Sequence, residues 1–244
     1  MNRPKFEVCL QSVDGVFAAR DGGADRVELC AALVEGGITP SYASIAHSLE
    51  AGIDVRVMIR PRGGDFHYTP RELDTMERDI AVCRELGVNG IVFGVLDPDG
   101  RLARTQVQRL LKAAGPLPVT FHRAFDVCRD PLTMLEELCD LGVERILTSG
   151  QRATAPEGSD LIAELVERAG DRIVILPGCG VTPDNVRELI ERTGAKEFHA
   201  TAFEQQPSDM LHRNGQVYMG IPGLPEYERE VVTKAEVRRF LEKF

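Results

Sequence analysis

Strand-like and helix-like stretches alternate about eight times along the 244 residues, and no other property of the sequence restricts the fold so severely. Short runs with a two-residue apolar period occupy residues 6–9, 25–30, 54–60, 89–95, 117–122, 144–149, 172–176 and 196–201. Between them stand helical patterns with ordinary start and stop signals. Pro70 opens one that Gly87 ends, and Asp130-Pro131 starts another that Gly142 stops. Repeated strand-then-helix units predict an α/β protein with a parallel sheet, and eight of them predict a single (β/α)8 TIM-type barrel spanning residues 1–244. The rival, an open doubly wound sheet, lacks a Gly-x-Gly-x-x-Gly turn after its first strand, so no nucleotide cofactor is expected. A long irregular segment at about 203–231 and a last amphipathic helix at 234–244 complete the expectation.

The strands carry polar groups where a barrel should carry its core. Val27 and Leu29 alternate with Arg26, Glu28 and Cys30, and Phe6 and Val8 alternate with Glu7 and Cys9. Successive strand residues point to opposite faces, so the Glu and Cys of both strands belong inside the closed sheet if helices cover the apolar side. His122 and His199 fall on the same inner face of their strands, with Arg60 at the end of the third. In barrels of this type the chemistry sits at the C-terminal ends of the strands.

Two chemistries are open to that cluster. Cys9 and Cys30 offer two soft thiols suited to Cu(I), although sulfurs on neighbouring strands are expected to be staggered. Alternatively, Glu7, Glu28, His122 and His199 would move protons on a small anionic, possibly phosphorylated, substrate clamped by Arg60, with Ser149-Gly150 and Gly178-Cys179-Gly180 holding the anion. The loop 61–69, with its Gly63-Gly64 pair among charges and aromatics, has the makeup of a mobile active-site loop.

Composition limits the partners. Lys and Arg number 29 against 38 Asp and Glu, a net charge of −9, which disfavours nucleic acid and anionic membranes. No run of 18 apolar residues occurs, the N-terminus has no apolar leader, and the six cysteines form no Cys-x-x-Cys, so a cytoplasmic protein with free thiols is expected.

Several long stretches resemble one family. Residues 22–30 (Gly-Gly-Ala-Asp-Arg-Val-Glu-Leu-Cys), 35–41 (Glu-Gly-Gly-Ile-Thr-Pro-Ser), 57–66, 120–126 (Thr-Phe-His-Arg-Ala-Phe-Asp), 147–150 and 197–200 are similar, in this order, to the CutC copper homeostasis family. The resemblance implies a TIM-type barrel, a cytoplasmic location, self-association as a dimer or tetramer, and a role in copper handling with Cu(I) at two inward thiols that match Cys9 and Cys30. This chain departs from the family pattern at Gln11, Cys179 and Phe203, where Asp, Gly and Arg are usual.

Overall fold

A computed structural model describes residues 3–244. Its eight parallel strands are β1 (Lys5–Leu10), β2 (Arg26–Leu29), β3 (Asp54–Met58), β4 (Gly90–Phe93), β5 (Val119–Phe121), β6 (Arg145–Thr148), β7 (Val174–Pro177) and β8 (Glu197–Ala200). They hydrogen-bond in the order β7-β6-β5-β4-β3-β2-β1-β8 and form a nearly closed barrel. Around it lie α1 (Val13–Gly22), α2 (Tyr42–Leu49), α3 (Pro70–Leu86), α4 (Arg104–Ala114), α5 (Pro131–Asp140), α6 (Ser159–Ala169), α7 (Val186–Thr193) and α8 (Lys234–Leu241). No helix among the described residues is long and apolar enough to cross a membrane.

Local chemistry sets the helix ends. The Ser12 hydroxyl accepts from the Gly15 amide at the start of α1, and Thr69 and Glu72 form a reciprocal capping box ahead of Pro70. Asp130 accepts from Leu132 and Thr133 before Pro131. One boundary differs from the sequence expectation: α7 starts at Val186 rather than Thr182, because the Asn185 carboxamide caps the Thr182 amide in a turn of its own.

Apolar residues on the outer faces of the strands meet the helices to make the main core. Phe6, Val8, Leu10, Val27, Leu29, Val55 and Val57 are fully buried there, and α8 seals one side where Phe240 stacks on Phe6 at 4.7 Å. Burial of this layer is the main driving force for the closed sheet.

The barrel interior, usually filled with branched apolar side chains, is occupied toward the strand N-termini by ion pairs. Arg26 Nη2 lies 2.7 Å from Glu197 Oε2, and Arg145 Nε lies 2.8 Å from the same oxygen. Arg26 also donates to Glu7, and Arg56 pairs with Asp54 at 2.7 Å and Glu144 at 3.1 Å. Paired charges tolerate burial where single ones do not.

The segment after β8 is less irregular than its composition suggests. β9 (Phe203–Pro207) and β10 (Glu228–Val232) pair antiparallel, with Gln205 opposite Glu230. Glu-Gln-Gln carries little strand propensity, so this hairpin has no apolar period to announce it.

Candidate functional site at the barrel mouth

Register brings the inner polar residues together. Cys9 stands opposite Glu28 on β2, and Glu7 stands opposite Arg26 on one side and His199 of β8 on the other. Cys30 follows β2 one inward step beyond Glu28, so the two sulfurs are staggered. Both still reach the same carboxylate oxygen: Glu28 Oε2 is 3.4 Å from Cys9 Sγ and 3.6 Å from Cys30 Sγ. Ligand atoms of Cys9, Glu28 and Cys30 all fall within 4.8 Å of one another, as do those of Glu7, Glu28 and His199. Met58, Val92 and Leu33 pack around the thiols.

The charges in this cluster follow from its partners. Burial alone would raise the Glu7 carboxyl, yet Arg26 and His199 outweigh it and hold Glu7 well below the carboxylate range. Burial would likewise drive the proton off His199, but Glu28, Cys9 and Glu7 pull its pKa well above that of a free imidazole. Toward the strand N-termini Arg26, Arg56 and Arg145 pair with Glu7, Asp54, Glu144 and Glu197, while His199 lies between Glu7 at 2.7 Å and Glu28 at 3.8 Å. Glu28 is left without a cation of its own, and burial pushes it up toward the neutral acid. The neighbouring Cys30 thiol, with help from His199, lowers Cys9 to about 5 against the cost of burial. The same proximity, with burial, raises Cys30. One anionic sulfur thus faces one protonated imidazole.

Glu28, Cys9 and His199 form part of the wall of a cavity of about 1100 Å³ open at the C-terminal ends of the strands. Arg60, Phe66 and His122 form another part of that wall. No hydrogen bond among the described residues links His122 to Glu28 or His199. Its Nδ1 accepts from the Ala124 amide at 3.1 Å, and burial, then Arg60, pushes its pKa down to about 3. His122 is therefore a neutral ring at physiological pH, with its proton on Nε2. Arg60 is less free than a clamp would be, since its Nη1 donates to the Glu35 and Gly37 carbonyls and its Nη2 to that of Gly64.

The expected anion cradle is only partly assembled. Gly180 lines the cavity, but Gly178 packs against Leu147 and His199. Ser149 and Gly150 lie outside it. The Ser149 amide and hydroxyl are both held by Asp126, and Gly150 is pressed against the Gly158 backbone, where an added Cβ would meet a carbonyl at 2.3 Å. The helix that was to aim its amides at an anion begins six residues after Gly180. Loop 61–69 is cross-linked rather than open: Arg62 reaches the carbonyls of Gly63, Asp65 and His67 and the Glu72 carboxylate.

Three features escaped the sequence reading. The Arg26–Glu197–Arg145 chain was legible in principle, because Arg26 and Glu197 sit two residues before Glu28 and His199, and Arg145 is the register partner of Thr120, two residues before His122. Asp126, the acceptor that organises residues 148–151, and Phe66, the aromatic wall between Arg60 and His122, lie in loops where no period reports them. Among the departures noted above, the Gln11 carboxamide accepts from the Leu33 amide at 3.0 Å, and Cys179 lines the cavity with a positive φ of 75°.

Comparison with known proteins gives a consistent answer. The CutC family model matches residues 4–204. A family protein CutC from Parabacteroides distasonis is 54% identical over 217 residues, which is 88% of this chain and 89% of that protein. The human copper homeostasis protein cutC homolog is 46% identical over 235 residues, covering 96% of this chain and 86% of the human protein. A crystal structure of CutC from Streptococcus agalactiae superposes with a TM-score of 0.77 at 38% identity, over 81% of this chain and 98% of that one.

Proposed function

This chain belongs to the CutC family, and we propose that it binds Cu(I) as cargo in the cytosol, through the thiols of Cys9 and Cys30. The observation that carries this is the placement of two sulfurs and one carboxylate oxygen within 4.8 Å of one another. Thiolates are the soft ligands that select Cu(I) over the harder divalent ions. The Glu7–Glu28–His199 group is a poorer receptor, because Glu7 and His199 already neutralise each other at 2.7 Å. Cys9, lowered to about 5, is ready as a thiolate. Cys30 gives up its proton only when a cation arrives, and neutral Glu28 adds no second negative charge to repel the sulfurs. All six cysteines are free thiols, as a reducing compartment would keep them. Self-association belongs to the same proposal, with exposed Leu211 and Met219 between β9 and β10 as apolar contacts available for it.

Anaerobic competition titration with a chromophoric Cu(I) chelator tests the site. Tight uptake of one equivalent should disappear in Cys9→Ser/Cys30→Ser; unchanged uptake in the double variant refutes it.

A second reading is favoured by Glu28 Oε1, a buried oxygen with no hydrogen-bond partner in a residue of the cavity wall. A carboxylic acid held neutral by burial is a proton donor, and the protonated His199 at 3.8 Å would stabilise the carboxylate left after transfer, so the cavity would support general-acid chemistry by Glu28, with His199 as its counter-charge, on a small anionic substrate that accepts the proton. Mass spectrometry of ligands retained through purification distinguishes the two: an organic anion at one per chain supports the enzyme, copper alone the carrier.

A further inference from the structure

Two buried nitrogen donors without partners belong to residues of the cavity wall that play no part in the thiol cluster. Arg60 Nε and His122 Nε2 make no hydrogen bond, although both residues are almost wholly buried and both line the cavity. The two residues flank a single aromatic ring: the Arg60 guanidinium carbon lies 5.1 Å from the Phe66 centroid, and the His122 ring lies 4.8 Å from it.

Each donor is fixed from behind. Three backbone carbonyls, those of Glu35, Gly37 and Gly64, hold the far end of the guanidinium at 2.8–2.9 Å and leave Nε over. The Ala124 amide donates to His122 Nδ1, which puts the ring proton on Nε2. Gly94 makes room for that ring, because a Cβ there would come within 2.6 Å of it. Buried donors are nearly always satisfied, so a rigidly held pair left open is a place where a ligand oxygen is wanted.

We infer that the Arg60–Phe66–His122 corner seats a small planar carboxylate, of the 2-oxo acid class, with its oxygens on Arg60 Nε–H and His122 Nε2–H and its flat face along Phe66. A phosphate dianion suits the corner less. Arg60 brings the single formal positive charge there, most of its N–H groups are already engaged, and His122 is neutral. A planar monoanion needs two donors and an aromatic wall, and it finds both. The inference names a ligand class for the second reading above and is independent of copper binding.

The test uses the full-length protein, copper-free and Cu(I)-loaded, labelled with ¹⁵N in its histidine rings and titrated with pyruvate and, separately, with inorganic phosphate. The His122 Nε2 resonance should be that of a neutral N–H at pH 7 and should shift saturably with pyruvate. Calorimetry should then show His122→Phe weakening pyruvate binding by about tenfold or more, the loss of one hydrogen bond to a charged group. Arg168→Ala, at an exposed position of α6 that does not line the cavity, should keep pyruvate affinity within about twofold, since distant sites behave independently. If His122→Phe does not fold, Gly94→Ala, which displaces the same ring, serves in its place. No saturable shift with pyruvate, equal affinity in the His122 or Gly94 variant, or a preference for phosphate would each overturn the inference.

Discussion

His199 Nδ1 lies 2.7 Å from Glu7 Oε1, a contact between residues 192 positions apart that closes the barrel electrostatically where β8 meets β1. The pair neutralises itself, fixes the ring and leaves the other nitrogen, Nε2, 3.8 Å from Glu28. Removing either member breaks a buried pair from one side, leaving the other without its nearest counter-charge.

Glu7→Gln should therefore lower stability by about 3–5 kcal/mol, the usual penalty for breaking a buried pair from one side. Urea denaturation at neutral pH measures it. The pH dependence follows from the direction of the shift. Glu7 is held below its ordinary value of 4.5, so its contribution is whole above that pH and shrinks as pH falls below it. The gap between wild type and variant should narrow steadily on acidification, and a constant gap would mean Glu7 is not the paired anion.

The thiols give a spectroscopic prediction. With Cys9 lowered to about 5 and Cys30 raised, the copper-free protein at pH 7 should show thiolate absorbance near 240 nm equivalent to one sulfur. Cys9→Ser should abolish it. Because only Cys30 still carries a proton, Cu(I) loading in a weakly buffered solution should release about one proton per ion rather than two. Release of two would place the resting charge elsewhere than on Cys9.

How much of this was legible beforehand depends on where each residue sits. The two-residue period placed Glu7, Cys9, Glu28, Cys30, His122 and His199 on the inner face, because strand geometry leaves a side chain two choices. The same period fixed the barrel, since eight parallel strands with outward Val, Leu and Phe need helices over them. It could not report what an inward group would touch. Arg60 is held mostly by carbonyls, and His122 has its Nδ1 taken by the Ala124 amide, neither of which the period reports. Ser149 looked like an anion ligand until Asp126, contributed by the turn after β5, appeared beside it. These outcomes are decided by loops, which follow no period.

Asp126 allows a direct check on that organisation. It accepts from the Ser149 amide at 2.9 Å, the Ser149 hydroxyl at 2.9 Å and Arg123 Nε at 2.7 Å. Asp126→Asn replaces charge-assisted acceptors with an amide and should cost about 1.5–3 kcal/mol in chemical denaturation. Copper uptake should be unaffected, since none of these groups touches the thiols; a parallel loss of uptake would show that the two regions are coupled.

Gly94→Ala addresses the packing beside the same turn. The new methyl would meet His122 at 2.6 Å and Ala124 at 2.8 Å, so ring or backbone must move. Overpacking of this kind should destabilise by about 1–3 kcal/mol, readable as a lower melting temperature. A variant as stable as wild type would mean that the ring has room the packing denies it.

The central claim is that Cys9 and Cys30, brought within reach of one carboxylate by adjacent strands, hold Cu(I). X-ray absorption at the copper edge of the anaerobically loaded full-length protein is the most direct measurement. A first shell dominated by two sulfurs, lost in Cys9→Ser/Cys30→Ser, is the expected result. A shell of nitrogen and oxygen scatterers, or a spectrum indifferent to the two substitutions, would contradict it.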